Sequence, residues 1–131
     1  VNPTNLLVPR AGADDKRVYL IDRQPFDWSP TIWPSAADLA DLTVNRWDTE
    51  TRRALEPQLL AASRSEMALG GVQISDADLR ADYRLASGIA LYKTLEWFRP
   101  GVQEDWRWLW EPMLHRTLAA LCDLGIEDFW T

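Results

Sequence analysis

SDADLRADYRLASGIALYKTLEWFRPGVQEDWRWLWEPMLHRTLAALCDLGIEDFWT, residues 75–131, decides the fold. Its opening carries the strongest helix-start signal in the chain. Ser75 can cap, Asp78 answers three residues later, and Ile74 just upstream can staple onto Leu79. The spacing predicts a helix from there to Trp97 or Phe98. Leu79, Tyr83, Ala86, Ala90 and Trp97 form one stripe, and Leu85, Ile89, Tyr92 and Leu95 widen it. Apolar positions on so many sides predict a central helix wrapped by others. Gly88 lies mid-helix at a cost of about 1 kcal/mol relative to alanine, which predicts close approach of another helix over Ala86, Gly88 and Ala90.

Arg99-Pro100-Gly101 stops this helix, and the next starts around Gln103-Glu104-Asp105, where acidic groups suit the helix dipole. Trp106, Leu109, Trp110, Met113, Leu114, Leu118, Leu121 and Cys122 share its apolar stripe. Pro112 predicts a bend. Gly125 ends the helix, with Ile126 closing back on Leu121. Arg107, Trp108, Glu111 and His115 point away from the stripe, so they are candidate interface residues.

Upstream, a helix is expected from Asp48 or Thr49 to Leu69, with Gly70 in the left-handed position and Pro57 kinking or splitting it. Leu55, Leu59, Ala62 and Glu66 lie on one line, with Leu60, Ser63 and Met67 beside it, and Arg52, Arg53, Glu56 and Arg64 form its exposed side. A shorter helix begins at Ser35, with Asp38 in its first turn and Leu39 and Leu42 as a small apolar face. The fold class is therefore all-α: a bundle of three to four helices over residues 35–131.

Residues 1–34 form a long, irregular, Pro/Trp-rich N-terminal arm, punctuated by Pro3, Pro9, Pro25, Pro30 and Pro34. Residues 17–22, RVYLID, have strand character and must pair with something or lie on the helices. Phe26, Trp28, Ile32 and Trp33 carry too much apolar surface for a solvated linker. They either fold back on the helices or dock on a neighbouring subunit, and they join the candidate interface residues. The chain holds eight tryptophans in 131 residues, more than one small core needs, and tryptophan is enriched at interfaces.

Chemistry is sparse. His115 is the sole histidine and Cys122 the sole cysteine, so neither zinc ligation nor an internal disulfide is expected. Cys122 reads as a small core residue. Gly70-Gly71 lacks the flanking residues of a phosphate-binding loop. The acidic pairs Asp14-Asp15, Asp76 with Asp78, Glu104-Asp105 and Glu127-Asp128 read as caps or solvated groups. No catalytic, cofactor-binding or metal-binding residue is expected, and the chain is not read as an enzyme. Net charge is −6, of which residues 48–131, with nine basic and fourteen acidic groups, hold −5. An acidic surface gains nothing from counterion release, so direct gripping of nucleic acid is not expected. No run approaches the length of a membrane span, and VNPTNLLVPR lacks the form of a signal peptide. A reducing cytoplasm is the expected place of synthesis.

Three phrases, LLAASRSEMALGGVQISD, RLASGIALYKTLEWF and LAALCDLGIEDF, occur in that order between Thr49 and Phe129. Together they resemble the small helical head–tail connector (adaptor) proteins of tailed bacteriophages. The resemblance covers roughly Thr49 to Gly125, and it does not extend to the arm. Glu127 after Ile126 also departs from the pattern. It implies a structural virion protein at the neck, made in the host bacterial cytoplasm. Its copies would form a ring, commonly of about twelve, with head-to-tail contacts. It implies a portal protein above, tail or neck proteins below, and genome DNA passing through the lumen without specific binding. The alternative is a small acidic protein that inhibits one partner, as phage-encoded inhibitors and immunity proteins do. The two readings differ in valency.

Overall fold

The computed structural model describes residues 6–20, 35–97 and 104–129. Four helices make the bundle: α1 (Ser35–Arg46), α2 (Thr49–Leu69), α3 (Asp76–Trp97) and α4 (Arg107–Leu124). Single 3-10 turns, Glu104–Trp106 and Ile126–Phe129, bracket α4. The all-α reading therefore holds for the described chain. In the arm, β1 (Leu6–Leu7) and β2 (Tyr19–Leu20) form a minimal antiparallel ladder, Leu6 opposite Leu20 and Leu7 opposite Tyr19. The expected strand over 17–22 thus shrinks to two residues and finds its partner within the arm. Asp15 braces the turn between them. It accepts from the Arg17 backbone and guanidinium and from the Tyr19 hydroxyl, at 2.7–3.0 Å.

Three local start and stop signals act where the sequence places them, whereas the start expected around Gln103-Glu104-Asp105 yields a 3-10 turn, with α4 beginning at Arg107. The Ser75 hydroxyl accepts from the Asp78 amide at 3.0 Å and donates to its carboxylate at 2.6 Å. Asp48 caps α2 by accepting from the Thr51 amide at 2.8 Å. Gly125 adopts the left-handed conformation, φ 59°, and closes α4. At the end of α2 it is Gly71, φ 84°, and not Gly70, that turns left-handed. Helix α2 carries Pro57 and α4 carries Pro112 without being split, since each is a single continuous helix.

The packing order differs from the expected one. The short α1 is the buried centre: Ala36, Ala40, Thr43, Val44 and Asn45 are all at most 1% exposed. Small side chains let α3 and α4 close on it from two directions. Leu39 and Leu42, the expected apolar face of α1, are only half-buried. Helix α3 buries Leu79, Tyr83, Ala86, Ser87, Ala90 and Thr94, which share one side. Leu85, Ile89, Tyr92 and Leu95 are exposed, so α3 is not wrapped on most sides. Ile74 packs against the cluster that contains Leu79, as a hydrophobic staple requires.

Helices α3 and α4 run antiparallel. Arg84 donates to the Gly125 carbonyl at one end, while Thr94 meets Thr117 at 3.5 Å further along. The buried side of α4 is Trp110, Met113, Thr117 and Ala120, spaced three, four and three. Trp106, Leu118 and Cys122 are exposed. The stripe read from hydrophobicity is therefore rotated away from the true contact face, because Thr117 and Ala120 fit against α1 where leucine does not, and Cys122 is not a core residue. Nor does a helix press on Gly88. Its nearest neighbour is Ile126, whose Cγ2 would stand 3.8 Å from an added β-carbon.

Candidate interaction surfaces

Two exposed apolar surfaces stand out. The first lies at the start of α4. The turn Glu104–Trp106 delivers the chain into α4 with no side-chain cap at Trp106. One residue into the helix, Trp108 is 71% exposed, and its ring stacks on that of Trp106 at 6.3 Å and 21°. Arg107 straps the same turn, donating to Glu111 at 3.0 Å and lying 3.6 Å from Glu104. Hydrogen bonding to Glu111 raises the Arg107 pKa above its ordinary value. His115 follows one turn on and is exposed.

Arg107, Trp108, Glu111 and His115 therefore share one outward stretch, as expected. Trp106 joins them there, although its place on the apolar stripe had pointed inward. Phe26, Trp28, Ile32 and Trp33 lie outside the described residues.

The second surface is the outer side of α3, where Leu85 is 60% and Tyr92 66% exposed, with Ile89 and Leu95 between and beyond them. These positions are separated by four, three and three residues and follow one side of the helix for about 15 Å. They lie away from the buried side. Contiguous apolar patches on monomers reach about 300–600 Å² and often mark a binding site. Sequence reasoning found these residues and misplaced them. A helix apolar on two sides looks the same whether or not its second side is covered. The answer depends on how many helices surround it.

Sequence reasoning missed the polar cluster under α2. Arg52, expected on the exposed side, is 2% exposed. It donates to Glu56 at 2.8 Å and makes a very short contact with Asp123 of α4. Arg53 grips the same Asp123 through two bonds of 2.7 and 2.8 Å. Glu56 accepts from the Tyr83 hydroxyl at 2.9 Å, and Tyr83 meets Thr43 of α1 at 2.6 Å. All four helices thus meet in one network. Burial pushes the Tyr83 phenol well above its ordinary value, so it stays neutral and donates. The Arg53 hydrogen bonds hold the Asp123 carboxyl below the ordinary range, with burial opposing and Arg52 adding to the effect.

A second polar knot, of Asn45, Thr94 and Thr117, joins α1, α3 and α4, with Asn45 Oδ1 accepting from Thr117 at 3.0 Å. Beside it, Lys93 donates to Asp41 at 2.7 Å. Burial disfavours ionised Asp41, but Lys93 and Asn45 outweigh it and hold the carboxyl below its ordinary value. The two networks tie side chains of different helices to one another, so the arrangement orients helices.

A shallow recess of about 250 Å³, lined by Arg64, Ser65, Ala68, Gln73 and Ile74, sits on the α2–α3 hairpin. Among the described residues no three His, Cys, Asp or Glu side chains converge as a metal site. No described helix is long and apolar enough to cross a membrane.

No family model, curated protein or solved structure matches the chain.

Proposed function

We propose that this chain is a structural subunit of a phage head–tail connector. Its copies associate head to tail into a ring beneath a portal and above tail or neck proteins, in the virion neck, and genome DNA passes through the lumen. The observation that carries the reading is the second apolar side of α3, Leu85, Ile89, Tyr92 and Leu95, left exposed by the described helices. A head-to-tail ring needs two different surfaces on each subunit. The Trp106–Trp108 stack supplies the other. In the antiparallel α3–α4 pair, Thr117 already stands level with Thr94, so Trp108, nine positions earlier in α4, lies beyond the end of the α3 stripe.

Two further points support the reading. The three phrases that resemble connector proteins fall on α2 with its glycine turn, on α3, and on the end of α4 with its cap. The helical part also carries most of the net charge of −6, and an acidic wall lets a phosphate backbone slide past without retaining it.

Native mass spectrometry and negative-stain imaging of the full chain, alone and with a portal ring, test the proposal. A ring, or decoration of the portal in register with its symmetry, is the expected result. A chain that stays monomeric and ignores portals overturns it, and a one-to-one complex with some other protein favours the inhibitor reading.

A further inference from the structure

Helix α2 is built unlike its neighbours. It is the second longest helix, 21 residues, yet only Arg52 and Leu60 are buried. Ala54, Leu55, Ala61, Ala62 and Leu69 are all exposed. Its packing against each of the other helices is slight beside that of α1 on α3 or α3 on α4. What holds it is mostly polar: the buried Arg52 guanidinium, Glu56 and the shared Asp123. The segments on either side can absorb a rotation. Only Trp47 and Asp48 separate α1 from α2, and the turn to α3 contains Gly70 and the left-handed Gly71.

We propose that α2 is a hinged flap, latched to the α1–α3–α4 core by the Arg52–Glu56–Asp123–Tyr83 cluster, and that it opens as a unit before the rest of the protein unfolds. The free energy of local opening follows the apolar contact that is lost. For α2 that is chiefly Leu60, with Met67 partly packed. The polar latch is geometrically demanding, and it weakens as a whole when one charge is removed. Opening bares the side of Tyr83 that Glu56 covers. The charged and titratable groups facing the latch are Arg52, Arg53 and Glu56 of α2, Tyr83 of α3 and Asp123 of α4, with the neutral Thr43 hydroxyl from α1. Asp123 is stabilised as the anion, so the latch is complete at neutral pH and is lost only as pH falls through the lowered Asp123 pKa. The proposal is independent of the connector reading.

Native-state hydrogen exchange on the full chain at pH 7, in a series of low denaturant concentrations, provides the test. Amides from Arg53 to Met67 are expected to share an opening with a weaker denaturant dependence than those of Ala40, Val44, Ala86 and Ala90. Met113→Ala, in the α4 core away from the latch, should accelerate those core amides and leave the α2 amides unchanged. Thr94→Ala serves if Met113→Ala does not fold. Asp123→Asn should accelerate α2 exchange about tenfold or more, because it weakens the closed state against every open one. Arg53→Gln, which loosens only the exposed half of the clamp, should do so more weakly. If the core variant accelerates α2 by the same factor as the core, α2 has no opening of its own and the proposal fails. It fails equally if folded latch variants leave α2 exchange unchanged.

Discussion

The two sides of α3 both carry apolar residues and have opposite fates. The inner side presents Leu79, Tyr83, Ala86 and Ala90 to α1 and α4 and is buried; the outer side presents Leu85, Ile89, Tyr92 and Leu95 to solvent. The inner side combines Leu79 and Tyr83 with the small residues Ala86, Ser87 and Ala90, so that helices approach closely. The outer side is uniformly bulky and has nothing of its own chain among the described helices to fill. Hydrophobicity thus marks a face for burial, while the distribution of small residues indicates whether the chain's own helices can do the burying.

Mutation tests that contrast most sharply. Leu79→Ala on the inner side should cost about 2–5 kcal/mol in denaturant unfolding. Leu85→Ala on the outer side should change the stability of the monomer by no more than about 0.5 kcal/mol. Equal losses would mean that the outer side is covered within the monomer. Tyr83→Phe keeps the ring on the inner side but removes the hydroxyl that bonds both Glu56 and Thr43. It should cost about 1–3 kcal/mol, again read from denaturant unfolding.

The networks around the inner side also set the acid response. Asp41 and Asp123 are both held below their unfolded values. Their contribution is therefore present above about pH 4 and is lost as pH falls through their folded pKa values. Thermal melts should move down between pH 5 and pH 3. Asp41→Asn should flatten that dependence, whereas a variant as sensitive as the wild type would assign the acid response elsewhere.

Gly88 gives a small effect of opposite sign. An alanine β-carbon there meets Ile126 at ordinary contact distance, so Gly88→Ala should gain up to about 1 kcal/mol from helix propensity. A loss would restore the close approach that the sequence implied.

What was legible in the sequence follows the same division. Signals that act within a few residues were readable, including the Ser75–Asp78 box, the Asp48 cap and the Gly125 stop. Which helix is central was not readable. Helix α1 is short and its buried residues include Thr43 and Asn45, which count as polar until their partners Tyr83, Thr94 and Thr117 are known. Arg52 failed for the same reason. An arginine four residues before a glutamate reads as a solvated pair, and only Asp123, 71 residues away, turns it inward. The outward group at Arg107, Trp108, Glu111 and His115 was legible because charge and spacing put it opposite a leucine-rich stripe. The outer stripe of α3 was not, because its exposure depends on how the described helices are arranged around it.

On the proposed function, this outer stripe and the Trp108 face join copies of the chain. Trp108→Ala should leave helical circular dichroism intact and weaken association. The most direct measurement is native mass spectrometry of the wild type beside the folded double variant Ile89→Glu/Tyr92→Glu, each alone and mixed with a portal ring. Ring-sized species or portal decoration are expected from the wild type, and a folded, non-associating monomer from the variant. Assembly that survives both glutamates, or a wild-type chain that never assembles, would contradict it.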